Sequence, residues 1–229
     1  MIAIIGAMSQ EVAILKEAMN IKKTETRLHV EFTTGTIAGK EVVLLESGIG
    51  KVNVAVATTL LIELYPVEFV INTGSAGGII TDASVGDVVI STNVTYHDVD
   101  VTGFGYKRGQ IPGLPELFNA DEFLIKKVDE ILTQTGVPHF KGSIVTGDAF
   151  VNRKEQIDKI ISNFPNAVAL EMEAAAVAQV CYIANIPFVV VRALSDIAGK
   201  ESHISFEEFL PTAAKASSEM VIKLIEILG

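Results

Sequence analysis

Apolar, β-branched runs alternate with stretches of helical spacing along this chain: residues 2–5 precede a helical pattern over 11–19, residues 42–45 precede one over 52–64, and residues 189–191 precede one around 207–228. The alternation predicts an α/β fold, a single domain over residues 1–229 with a central mixed, mainly parallel twisted sheet and helices on both faces. Strands buried on two sides read as continuous apolar runs, and a parallel neighbour is usually reached through a helix. Further strands are expected at 67–72, 87–92, 143–146 and 168–170, and further helices at 123–135 and 174–184. Residues 97–115 break the rhythm, with glycines, two prolines, Phe104 and Tyr106 in no periodic order. Such long loops in compact domains are usually functional or disordered, and the two aromatics favour function.

The formal net charge is −10. It disfavours a nucleic-acid partner, because binding phosphates needs clustered Lys and Arg to displace counterions. Each apolar stretch is broken by a charge or a glycine well short of the roughly 20 residues a bilayer span needs, so no membrane association is expected. The start lacks the basic segment and long apolar run of a secretory signal, and Cys181 is the single cysteine. Both features favour the cytoplasm. A small molecule is the expected partner.

Ligands of open α/β sheets gather at the carboxyl ends of the strands, so the polar residues that follow each strand carry the functional information. After residues 2–5 come Gly6-Ala7-Met8-Ser9-Gln10-Glu11, where Ser9 is the expected N-cap of the first helix. Glu11 in its first turn is, taken alone, an acid complementing the helix dipole. After Asn72 come Thr73-Gly74-Ser75-Ala76-Gly77-Gly78, small enough either for close approach of a ligand or for a tight turn. Glu171 and Glu173 interrupt an otherwise apolar strand-to-helix passage. Buried carboxylates need partners, so one of the two is expected to cap the helix amides and the other to be free for a ligand. Ser195 and Asp196 end the most hydrophobic strand, where a carboxyl group is suited either to donate a proton near neutrality or to cap the next turn. Placed at one edge of the sheet, Glu11, Glu173 and Asp196 can converge.

Other motifs fail. Gly48-Ile49-Gly50-Lys51 lacks the remaining glycine and hydroxyl positions of a phosphate-binding loop, and Asn53 stands where a dinucleotide fingerprint needs glycine. His97-Asp98-Val99-Asp100 has no companion set of ligands elsewhere, so no metal and no other cofactor is expected. Cys181 reads as core packing and Lys22-Lys23 as solvated charge.

Ordered along the chain, the blocks Ile4-Ile5-Gly6-Ala7-Met8 with Glu11, Ser47-Gly48-Ile49-Gly50-Lys51-Val52-Asn53, Asn72-Thr73-Gly74-Ser75-Ala76-Gly77, Gly147-Asp148-Ala149-Phe150, Glu171-Met172-Glu173 and Arg192-Ala193-Leu194-Ser195-Asp196 resemble the 5′-methylthioadenosine/S-adenosylhomocysteine nucleosidases of the nucleoside phosphorylase superfamily. Leu194, where Val or Ile is common, and Ser9-Gln10, where acids are frequent, depart from that pattern without touching the chemistry. The resemblance implies a nucleoside phosphorylase-like fold, a homodimer and adenine nucleoside thioethers as substrates. Its catalytic residues would be Asp196 as general acid toward adenine N7, oriented by Ser195, Glu173 at the ribose hydroxyls and Glu11 at the attacking water. Phe150 and Val151 would meet the adenine and Met172 the ribose, with Met8, Ser75, Ala76, Gly77, Arg192 and Phe206 completing the pocket. Ile49, Val101, Phe104, Tyr106 and Pro112 would be offered to the neighbouring subunit's 5′-alkylthio group.

Three alternatives stay open on the sequence: an aminofutalosine nucleosidase, a phosphate-dependent nucleoside phosphorylase, and a non-catalytic storage or binding relative. Hydrolysis is preferred to phosphorolysis, because no arginine lies in residues 6–11 or 74–78 and Glu11 would repel phosphate. A storage protein has no need of three catalytic carboxylates.

Overall fold

The computed structural model describes residues 1–197 and 202–228. Its elements run β1 (Ile2–Gly6), α1 (Ser9–Ala18), β2 (Asn20–Arg27), β3 (Val30–Ile37), β4 (Lys40–Glu46), α2 (Lys51–Leu64), β5 (Phe69–Gly78), β6 (Val88–Tyr96), β7 (Phe118–Asn119), α3 (Glu122–Thr135), β8 (His139–Thr146), α4 (Lys154–Asn163), β9 (Ala167–Glu171), α5 (Ala174–Ala184), β10 (Phe188–Ile197) and α6 (Ser202–Ile227). A single 3₁₀ turn at Thr102–Phe104 lies in the expected irregular loop.

The strands form one mixed sheet, with the parallel ladders β4–β1–β5–β10 and β6–β8–β9 at its centre. Antiparallel pairings of β10 with β6 and of β5 with β9 join the two sets, so five strands close on themselves. β4, β3 and β2 extend from β1 as an open flank.

Alternation along the central strands explains the layers. Ile2, Ile4, Val42 and Leu44 face one side, where α1, α3 and α6 contribute Leu15, Val128 and Leu224. Ala3, Ile5, Val43 and Leu45 face the other, against Val54 and Leu61 of α2 and the alanines of α5. Because both faces are apolar, both must be covered, as the sequence predicts.

Four elements escape the sequence reading, one of them the two-residue β7, too short to show any period. β2 is exposed along nearly its whole length, and as the edge of the flank it needs no apolar face. β3 beside it alternates buried with half-buried residues, but Thr and Gly replace the expected aliphatic run. α4 buries only Ile157 and Ile160, a narrow stripe. Three strands also run well past their expected ends: β6 continues through Tyr96, β5 through Gly78 and β10 through Ile197. The extensions of β5 and β10 build the site.

Candidate active site

At the start of α1 the N-cap is Met8, and Ser9 is the first helical residue instead of the cap. The capping is done from within the helix: Glu11 Oε2 accepts the N–H groups of Ala7 at 2.9 Å and Met8 at 3.1 Å. Its Oε1 accepts the Ser75 N–H at 2.8 Å and lies 2.9 Å from Ser75 Oγ. Glu11 thus complements the helix and also bridges α1 to β5. The stretch from Thr73 to Gly78 is strand, not turn. Gly74 holds φ +144°, and a Cβ there would lie 2.5 Å from Glu11 Oε1 and 2.6 Å from Arg192 Nη1. Only glycine leaves room for both groups.

The two glutamates at the β9–α5 junction divide as expected. Glu171 is the cap: its Oε2 accepts the N–H groups of Glu173 and Ala174, each at 2.8 Å, and its Oε1 accepts Thr146 Oγ1 at 2.5 Å. Arg192 Nη2 reaches Glu171 Oε2 at 2.7 Å and Asn72 Oδ1 at 2.8 Å, while Nη1 donates to the Ser75 carbonyl at 3.3 Å. Burial works against the Arg192 cation, but Glu171, Glu173 and Glu11 outweigh it and the net shift of its pKa is upward. Glu173 is held more loosely. Its Oε1 accepts the Gly50 N–H at 2.8 Å and its Oε2 lies 3.6 Å from Arg192 Nη2. Burial, then the neighbouring Glu171, pushes the Glu173 carboxyl up to about 7 against the opposing pull of Arg192 and the Gly50 N–H.

On β10, register against β5 slips between Leu194 and Asp196. In a regular strand adjacent side chains point to opposite faces, but the irregularity lets Ser195 and Asp196 both line one cavity. Ser195 Oγ lies 3.0 Å from Asp196 Oδ1, and Asp196 faces Gly77, where a Cβ would stand 3.3 Å from its Oδ2.

These residues surround a cavity of about 330 Å³. Glu11, Glu173 and Asp196 line it from α1, the start of α5 and β10. So do Met8, Ser75, Ala76, Gly77, Phe150, Val151, Met172, Arg192, Ser195 and Phe206. Phe150 and Phe206 meet edge to face, with ring centroids 5.7 Å apart. Ile49, expected to serve the neighbouring subunit, lines the cavity of its own chain. Val101, Phe104, Tyr106 and Pro112 do not line it, and Phe104 is 85% exposed.

Ala7, Ala149 and Leu170 also line the cavity and were not anticipated. Small or aliphatic, they carry no chemical signal; only their adjacency to Met8, Phe150 and Glu171 could have found them. Among the described residues no group of three or more His, Cys, Asp or Glu is placed to hold a metal ion. Cys181 is buried in α5, and burial pushes its thiol up to about 12.

The phosphorylase superfamily model matches residues 1–226. The 5′-methylthioadenosine/S-adenosylhomocysteine nucleosidase of Bacillus subtilis (strain 168) is 55% identical over 226 residues, which cover 98% of each chain. The crystal structure of the enzyme of the same name from Neisseria meningitidis, in complex with methylthio-immucillin-A, matches with a TM-score of 0.96 at 47% identity over 99% of both chains. Futalosine hydrolase of Helicobacter pylori matches with a TM-score of 0.95 at 31% identity, over 99% of this chain and 97% of that one.

Proposed function

The chain belongs to the phosphorylase superfamily, and on that premise we propose that it is a hydrolase cutting the N-glycosidic bond of 5′-methylthioadenosine and S-adenosylhomocysteine to release adenine and the 5-substituted ribose. 5′-Deoxyadenosine, which shares the base and the ribose hydroxyls, is a further substrate. One observation carries the reading: Glu11, Glu173 and Asp196, 1%, 4% and 3% exposed, face a single nucleoside-sized cavity from three separate elements. The nucleosidase names of the Bacillus and Neisseria relatives support it.

Adenine is a poor leaving group as an anion. Asp196, beside Ser195 Oγ, is the general acid that protonates N7. As the bond lengthens, positive charge grows on the ribose, and Glu173 holds the sugar hydroxyls and stabilises that charge. Glu11, fixed by Ala7, Met8 and Ser75, positions the attacking water and takes its proton. Acid and base duties are divided between carboxyl groups as in glycosidases. Phe150, braced by Phe206, stacks on the base, whose edge meets the backbone of Phe150 and Val151. Met172 packs under the ribose, and Met8, Ala76 and Gly77 close the walls. Arg192 acts through the carboxylates it binds, since Glu171, Asn72 and Ser75 already take up its terminal nitrogens.

A homodimer belongs to the same proposal. Phe104, with Val101, Tyr106 and Pro112, forms the apolar surface offered to the 5′-alkylthio group in the neighbouring subunit, and the 85% exposure of Phe104 supports it. The cytoplasm is the proposed compartment, on the evidence of the single, unpaired Cys181.

Water, and not phosphate, is the second substrate. Among the described residues, Arg192 is the one arginine lining the cavity. Arg27 pairs with Glu25, Arg108 with Asp100, and Arg153 donates to Gln156. A phosphate would meet Glu11 and no uncommitted guanidinium. Adenine release from 5′-methylthioadenosine, followed spectrophotometrically, is therefore expected to proceed at the same rate with and without added phosphate; strict dependence on phosphate would overturn hydrolysis.

The similarity to futalosine hydrolase favours a second reading, in which the same bond is cut in aminofutalosine. Comparing kcat/KM for the two nucleosides separates them, with methylthioadenosine expected to be the better substrate.

A further inference from the structure

Asp98 lines no part of the cavity, and the chemistry above has no use for it. It follows β6 and joins three loops. Its Oδ2 accepts Lys51 Nζ at 2.6 Å and the Asp148 N–H at 3.0 Å. Asp148 Oδ1 in turn accepts the Lys51 N–H at 2.9 Å, and its Oδ2 lies 3.7 Å from Lys51 Nζ. Lys51 also stands over the Tyr96 ring, 5.4 Å from its centroid. The segments after β4, β6 and β8 are thus tied into one cluster. Two of them feed the cavity. Gly50, immediately before Lys51, gives its N–H to Glu173, and Asp148 is followed by Ala149 and Phe150 in the cavity wall.

We propose that Asp98 is a positioning residue for the cleavage: through Lys51 and Asp148 it fixes the Gly50 N–H that holds Glu173 and the segment that presents Phe150. The inference rests on the roles given above to Glu173 and Phe150. Gly50 adopts φ +96°, a conformation that disfavours any other residue, and Lys51 anchors it from both backbone and side chain. Without Asp98, Lys51 Nζ keeps its place over the Tyr96 ring but only a longer ion pair, with Asp148, and the Asp148 N–H loses its acceptor. The Gly50 N–H then drifts from Glu173.

That drift has a measurable signature, because the Gly50 N–H stabilises the ionised form of Glu173 together with Arg192 and against Glu171 and Glu11. Losing one hydrogen bond to a carboxylate raises its pKa by about one unit or more. Infrared titration of the Glu173 carboxyl, identified by its disappearance in Glu173→Gln, reads this without substrate. In Asp98→Ala the Glu173 band is expected to titrate about one pH unit higher than in the wild type, with Asp98→Glu restoring most of the shift. Lys51→Met is expected to reproduce the shift, and the double variant to add little to either single one. In parallel, kcat/KM for methylthioadenosine at pH 6 should fall about tenfold and the acidic limb of its pH profile should move up. A Glu173 titration unchanged in Asp98→Ala overturns the proposal, including where the variant merely melts at a lower temperature. A wild type that releases no adenine while the titration shifts as expected would sink the nucleosidase reading alone.

Discussion

Glu171 and Glu173 stand two positions apart, both buried, with opposite fates. Glu171 receives two backbone N–H groups, a threonine hydroxyl and an arginine, the partners a buried carboxyl group needs. Glu173 has one backbone N–H and a longer approach from Arg192, so its carboxyl sits up at about 7. The stability consequence follows from the sign of that shift. Between the ordinary glutamate value of 4.5 and about 7 the folded chain binds the proton that the unfolded chain has released. The contribution is complete at the acid end and is lost as pH rises through the folded value. In urea unfolding at pH 5 and pH 8, the wild type is expected to lose stability relative to Glu173→Gln at the higher pH. Parallel behaviour of the two proteins would mean that Glu173 is not buried as described. The sequence already supplied the pair and the reason one must cap; both line the cavity, and which one caps depends on where Thr146, Arg192 and Gly50 arrive from other parts of the chain.

Strands β5 and β10 carry the features that sequence patterning reads least well. An apolar run marks a buried strand, but the run ends at Asn72 in β5, and the strand continues through small and polar residues to Gly78. Those residues looked like a turn because their burial comes from β9, β10 and the side chains of the site, not from hydrophobicity. In the same way, the irregularity that lets Ser195 and Asp196 share a cavity has no mark in the sequence. Gly74 shows how tightly the element is fitted. Gly74→Ala brings a methyl group against Glu11 and Arg192 at a positive φ, and displacing the water-positioning carboxylate by about 1 Å is expected to lower kcat roughly 100-fold. The adenine-release assay on the folded variant checks this; near-normal turnover would show that Glu11 tolerates displacement.

Across the whole molecule, the closed ring β5–β10–β6–β8–β9 is what brings distant segments together. Strand and helix alternation, the two apolar faces and the carboxylates at strand ends were legible in the chain, because each depends on local spacing. The antiparallel contacts that close the ring were not, since β5 meets β9 through only two residue pairs, Gly77 with Leu170 and Gly78 with Ala169. The exposed edge β2 and the narrow stripe of α4 were illegible for the related reason that they bury little.

The central claim, that three carboxyl groups divide one cleavage among them, is tested most directly by changing the leaving group. Turnover of Asp196→Asn, Glu173→Gln and Glu11→Gln is compared on 5′-methylthioadenosine and on a 4-nitrophenyl 5-methylthioriboside, whose leaving group departs without a proton. Asp196→Asn is expected to lose roughly 10²–10⁴-fold on the adenine substrate and little on the nitrophenyl one, with the other two variants impaired on both. Equal losses for Asp196→Asn on the two substrates would contradict the account.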